Sequence, residues 1–119
     1  GRRFEWVSTS FLQMVDISIH IRNNMYYRIT RGTVKSGKFD DAMSTMESLR
    51  ESIGKINGLV SSNLIRTSET ELVAVAAYRT KEHLEASQAE FKELMVNMMP
   101  YMAETPEISF GEGVFSFNS

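Results

Sequence analysis

The residues able to do acid-base or nucleophilic chemistry are few. The chain has two histidines, His20 and His83, and no cysteine. Without a thiolate there is no Cys nucleophile, soft metal site or disulfide framework. The two imidazoles stand far apart in sequence, with no carboxylate at helical or hairpin spacing to complete a ligand set, so no metal is expected. His83 follows Thr80 by three residues and falls in the first turn of a predicted helix. There it can be a solvated helix-start residue or a proton acceptor at the mouth of a helix-sheet cavity. His20 falls on the polar side of an alternating run and reads as a surface residue.

Two uncharged groups are candidates for a pocket. Strict alternation puts Asn63 on one strand face with Leu59, Ser61 and Ile65, so it is expected to point inward, where an amide needs partners. Tyr78 ends an apolar strand, where a phenol can pack its ring and still reach a substrate or a backbone group. Ordinary core hydrogen bonding is the favoured account of both. Arg66 and Arg79 flank the same hairpin and fit strand-end surface charges better than an acidic-ligand site. There is no G-x-S-x-G, no G-x-G-x-x-G and no P-loop; Gly111-Glu112-Gly113 lacks the following helix that a phosphate cradle requires. Nucleotide cofactors are therefore not expected.

The elements that would position these residues can be read from periodicity. Val15, Ile17, Ile19 and Ile21 alternate with polar residues and predict a strand over 15–22. Asn23 and Asn24 suit a turn into a second extended run from Met25 to about Val34. Residues 1–24 are also readable as an extension to a domain over 25–118, with Met25 an equally good start. From Ser36 to Asn57, Phe39, Ala42, Met43, Met46, Leu49, Ile53 and Ile56 step by three and four, predicting one amphipathic helix capped by Ser36 and stopped by Asn57-Gly58. Leu59–Arg66 and Glu71–Arg79 read as an antiparallel hairpin. The second run is apolar enough to be a central strand. Thr80 caps a second helix striped by Leu84, Phe91, Leu94, Met95, Met98 and Met102, ended or kinked by Pro100. A last strand is expected over Ile108–Phe117, with a bulge near Gly111 and Gly113. The methionines fall mostly on helical stripes, where thioethers fill irregular gaps in a core.

The order strand, helix, strand, hairpin, strand, helix, strand is the split β-α-β pattern: an α+β, ferredoxin-like β-α-β-β-α-β fold with two helices on one face of a four-stranded antiparallel sheet. The face left bare is partly apolar, so a homodimer packed through sheet faces is expected. At 119 residues there is room for one core. Apolar residues at 42% and charged residues at 24% are ordinary globular values. Thirteen basic against fifteen acidic residues, without a block of one sign, offer nucleic acid little attraction. No run approaches the roughly 18 apolar residues of a membrane span, and the start has no continuous apolar secretion signal. The cytoplasm is the expected location.

Over roughly 25–118 the sequence resembles the antibiotic-biosynthesis-monooxygenase-like group of dimeric α+β barrels. The resemblance lies in Val34-Lys35-Ser36-Gly37-Lys38 opening the first helix, Ile56-Asn57-Gly58-Leu59 entering a strand, and Ala77-Tyr78-Arg79-Thr80 leading into the second helix. It implies a cavity between sheet and helices in which an electron-rich phenol or quinol is deprotonated and its anion reacts directly with dioxygen, with no cofactor. Asn63 and Tyr78 would orient the substrate or hold its oxyanion, and His83 would be a more distant candidate base. Many members carry Trp where Tyr78 stands and His where this chain has Ser87. Loss of that His weakens the case for proton abstraction and disfavours heme degradation. The expectation is a cofactor-independent monooxygenase of a small aromatic ligand; the alternative is a non-catalytic small-molecule-binding or regulatory dimer of the same fold.

Overall fold

The computed structural model describes residues 24–119. Every helix and strand below belongs to one compact unit, Met25–Glu112; the other described residues, Asn24 and Gly113–Ser119, fall in a second unit. The strand expected at 15–22 and its histidine, His20, lie outside the described residues.

β1 (Tyr26–Thr33) is followed by two short helices, α1 (Phe39–Ser48) and α2 (Arg50–Gly54), and then by the hairpin of β2 (Leu59–Arg66) and β3 (Glu71–Tyr78). Helices α3 (Lys81–Ala86) and α4 (Gln88–Met98), a 3₁₀ turn at Met99–Tyr101 and β4 (Glu107–Glu112) complete the unit. The strands form one open antiparallel sheet in the order β2-β3-β1-β4. β3 is internal, as its apolar composition predicts. This is the expected ferredoxin-like α+β arrangement.

Both predicted helices are interrupted, the first at Leu49 directly after Ser48 and the second at Ser87. Ser48 Oγ donates to the Thr45 carbonyl, the acceptor that the Leu49 amide would use in a continuous helix, and Leu49 N turns to Met46 O instead. Ser87 Oγ likewise donates to Leu84 O, which Ser87 N also uses. In both places the hydroxyl competes with the backbone ladder and tightens the turn.

The first helix also begins later than predicted. Lys38 is its N-cap, without a side-chain cap bond, because Ser36-Gly37 forms a turn in which Gly37 has φ of 78° and Lys38 N reaches Lys35 O. At the other end α2 stops at Gly54, earlier than expected, with Lys55 as a right-handed C-cap; Gly58, with φ of 81°, instead turns the chain into β2. Thr80 does cap α3, accepting from His83 N at 3.0 Å. Pro100 sits in the 3₁₀ turn that ends α4.

β4 stops at Glu112, short of Phe117. Its last rung is Tyr26↔Glu112, the first residue of β1, so no further part of that strand remains to pair with it. Gly111 pairs with Tyr27 in unbroken register, and the bulge lies instead in β2, between Leu59 and Ser61.

Two apolar clusters hold the layers together. Val34, Ala42, Leu72, Met98 and Met102 join the first and last helices to the sheet, and Ile56, Tyr78 and Leu84 close the other group.

Candidate functional site

On β3 the residues Leu72, Ala74, Ala76 and Tyr78 alternate with Val73, Val75 and Ala77. The first set faces the helices. Ala76 pairs with Arg28 on β1 and with Ser62 on β2, and Ala74 with Thr30 and Leu64. Two alanines in the middle of this face leave space that larger side chains would fill. Across it stand Phe91, Leu94, Met95 and Met98 of α4 and Met43 and Met46 of α1. Between the layers lies a cavity of about 380 Å³, walled mainly by these apolar side chains.

Arg28 and Tyr78 line this cavity and are 2% exposed each. The guanidinium Nη1 donates to the Tyr78 hydroxyl at 2.7 Å; Nη2 donates to Ser87 Oγ at 3.2 Å and to Gln88 Oε1 at 3.1 Å. Nε is buried without an acceptor among the described residues. The guanidinium carbon lies 4.1 Å from the centre of the Phe91 ring, with the Tyr78 and Phe110 rings at 5.3 and 5.9 Å. Such faces attract a cation through their quadrupoles. All three oxygen acceptors are neutral, and no ion pair of Arg28 occurs among the described residues. A buried charge normally has an opposite charge beside it, because desolvation costs several kcal/mol.

The other charged residues lining the cavity, Glu47 and Arg50, belong to each other. Arg50 Nη2 donates to Glu47 Oε1 at 3.0 Å and Nε donates to Oε2. Hydrogen bonding from Arg50, aided by its charge, holds the Glu47 carboxyl below the usual carboxylate range, which makes it a weaker base.

The three residues singled out from sequence separate in space. Tyr78 lines the cavity. Asn63 is exposed and sits on the opposite face of the sheet, paired with Val75 between Ser61 and Ile65. The bulge explains this: Leu59 pairs with Tyr78 and Ser61 with the next residue, Ala77, so one extra residue in β2 reverses the alternation after Leu59. Leu59, Ser62 and Leu64 therefore line the cavity while Asn63 does not. His83 is half-buried, with Nδ1 2.8 Å from Thr80 Oγ1 and its ring against Gly58, and it does not line the cavity. Among the flanking arginines, Arg66 lies over the Phe39 ring at 3.6 Å and donates to Glu69 O.

Arg28 was not singled out by motif or spacing. Its signal was faint: a charged residue whose neighbours across β3 are alanines has room to lie inward. Ser87, standing where the family resemblance implies a histidine, is 3% exposed and accepts from Arg28.

No protein-family model matches the chain, and no curated protein matches it in sequence. Solved structures do match in shape. A provisionally named antibiotic biosynthesis monooxygenase from Nitrosomonas europaea superposes with a TM-score of 0.68 at 19% identity, over 81% of this chain and 96% of that one. The chain has the fold of the antibiotic-biosynthesis-monooxygenase group. SnoaB, a cofactor-independent oxygenase from Streptomyces nogalater, shares that fold with a TM-score of 0.63 and 16% identity, over 74% and 91% of the two chains. So does a conserved protein from Methanosarcina mazei Go1, at 0.68 and 16%, over 78% and 96%. At these identities the likeness establishes architecture, and chemistry has to be argued from the cavity. In this monooxygenase-type fold the space between sheet and helices is where Arg28 and Tyr78 meet.

Proposed function

We propose that the protein is a cofactor-independent monooxygenase of a small quinol-like or phenolic aromatic, bound in the helix-sheet cavity. The observation that carries this reading is the pairing of a buried Arg28 with the Tyr78 hydroxyl at the wall of an otherwise apolar space. Tyr78 accepts from Arg28, so its own proton is available to an oxyanion, and the guanidinium charge behind it favours that anion in a low-dielectric site. An ionised phenol can react with dioxygen directly. One oxygen atom enters the ring, the other leaves as water, and the substrate supplies all the electrons as it becomes a quinone. The chain's contribution is to bind the ring among Met, Leu and Phe side chains, exclude water and stabilise the phenolate.

Oxygen consumption by purified protein with a panel of hydroquinones, naphthoquinols and anthrones tests the proposal. Uptake above the protein-free rate, slowed at least about tenfold by Tyr78→Phe, is expected. Uptake equal to the blank across the panel would overturn it.

A second reading, a non-catalytic small-molecule-binding dimer, is favoured by one feature: among the described residues no unpaired carboxylate or imidazole lines the cavity. A bound aromatic that persists unchanged in air supports that reading. In either case we propose a cytoplasmic homodimer joined through the outward sheet face, where Ile29, Val73, Val75 and Ile65 share one side. The lack of cysteine accords with a reducing compartment. Among the described residues no helix is long and apolar enough to cross a membrane. Sedimentation velocity showing a monomer at micromolar concentration would remove the dimer.

A further inference from the structure

We infer that the cavity recognises its ligand as a preformed organic anion: an apolar aromatic body bearing a single carboxylate, held by Arg28 and the Tyr78 hydroxyl. The inference deepens the proposed site and rests on that cavity being the ligand site, but it does not require turnover.

The argument begins with an imbalance of charge. Arg28 is 98% buried by its 2% exposure, yet its acceptors are a phenol, a serine hydroxyl and a glutamine amide, none of them charged. A guanidinium has five N–H groups, and the Nε one has no acceptor among the described residues. Aromatic faces at 4.1, 5.3 and 5.9 Å soften the cost of burial without cancelling the charge. Among the described residues the one carboxylate that lines the cavity, Glu47, is engaged by Arg50, so it does not serve Arg28. Among the described residues the cavity therefore carries a positive charge that no opposite charge compensates, set in a wall that is otherwise fit for an apolar body.

A carboxylate would complete both groups together. Its charge balances the guanidinium, and its oxygen accepts the Tyr78 proton for which the described hydrogen bonds show no acceptor. A neutral isostere of the same size fills the same space but leaves the charge unmatched. A cationic one adds like-charge repulsion. The site thus discriminates by charge at one end and by shape at the other.

Titration calorimetry of the full chain with 2-naphthoate, its methyl ester and 2-naphthylmethylammonium tests this without relying on oxygen chemistry. The acid is expected to bind at least about tenfold more tightly than the ester, with the ammonium weakest. Arg28→Met should erase the preference for acid over ester while leaving ester binding in place. If that variant does not fold, the ranking of the three probes on the unaltered protein still decides the matter. Ester binding as tight as the acid, no naphthoate binding at millimolar concentration, or a preference that survives Arg28→Met each overturns the inference. 1-Naphthol at neutral pH separates a carboxylate site from a phenolate one: binding as tight as naphthoate would count against the carboxylate. The outcome is distinct from that of the oxygenase proposal, since naphthoate can bind through Arg28 whether or not any quinol is oxidised.

Discussion

Arg28 stands diagonally across from Tyr78 on the inward face of β1 and β3, and its Nη1 donates to the phenol oxygen at 2.7 Å with both side chains almost wholly removed from solvent. The pair is a source of tension as well as a candidate site, because among the described residues the charge it buries has no carboxylate beside it. Arg28→Met, which keeps length and apolar packing while deleting the charge, should leave unfolding stability unchanged or raise it by about 1 kcal/mol or more. Arg28→Ala removes the same donor but also opens a hole where Met would still fill space, and should lose about 2 to 4 kcal/mol. Urea unfolding of both variants checks the contrast; equal losses would mean the charge is stabilised in place.

Tyr78→Phe keeps the ring in the Ile56 and Leu84 cluster but removes the acceptor of Arg28 Nη1. The cost should be about 1 to 3 kcal/mol, the price of leaving a buried donor unsatisfied. A midpoint identical to that of the parent would show that water or a rotated side chain replaces the hydroxyl.

Gly58 combines a φ of 81° with contact against His83: a Cβ there would collide with the imidazole ring. Gly58→Ala is expected to destabilise by about 1 kcal/mol from backbone conformation, and by more from the clash. His83→Ala in the same chain should recover the part of the clash due to the ring, but neither the backbone part nor the part due to the His83 Cβ, which alanine keeps and which the added Cβ also meets. Thermal melts of the two variants and their combination read the difference, and full recovery would assign the whole effect to the imidazole.

Thr80→Ala removes the side-chain acceptor of the His83 amide and the partner of His83 Nδ1, and should cost about 1 kcal/mol, whereas Thr80→Ser should cost less. Circular dichroism during denaturation distinguishes them; equal melting of the two would remove the cap from the account.

Glu47 is the carboxylate whose affinity for a proton is lowered, through hydrogen bonding from Arg50 and then its charge. Because its folded pKa lies below the unfolded one, its contribution is present above the ordinary carboxylate range and is lost as pH falls through the lower folded value. Both partners are exposed, three residues apart across the break between α1 and α2, so salt should screen the effect. Glu47→Gln should therefore flatten the acid side of the stability profile slightly at low ionic strength and make no difference in high salt. A difference that persists in high salt would contradict this.

The element order was legible because periodicity is a local property. The apolar steps from Phe39 to Ile56 and the extended runs at Leu59–Arg66 and Glu71–Tyr78 each identify an element from its own residues, and Thr80 and Gly58 mark boundaries by cap and backbone chemistry that needs no distant partner. Tyr78 was legible for the same reason. The serine interruptions were less so: Ser48 and Ser87 are acceptable within a helical pattern, and only their bonds to Thr45 O and Leu84 O reveal the competition.

The faces were a different matter. Whether Asn63 points inward depends on one extra residue in β2, a matter of pairing with β3 that alternation cannot register. Arg28 became a candidate once β1 had β3 beside it and α4 above it, since the phenol, serine and glutamine that hold it lie 50 or more positions further along the chain. Local patterns thus specified which segments are helix and strand, because those preferences act over a turn or a few residues. The site arose from register and from packing between distant segments, which is where burial strips a charge of water and gives it neighbours to choose from.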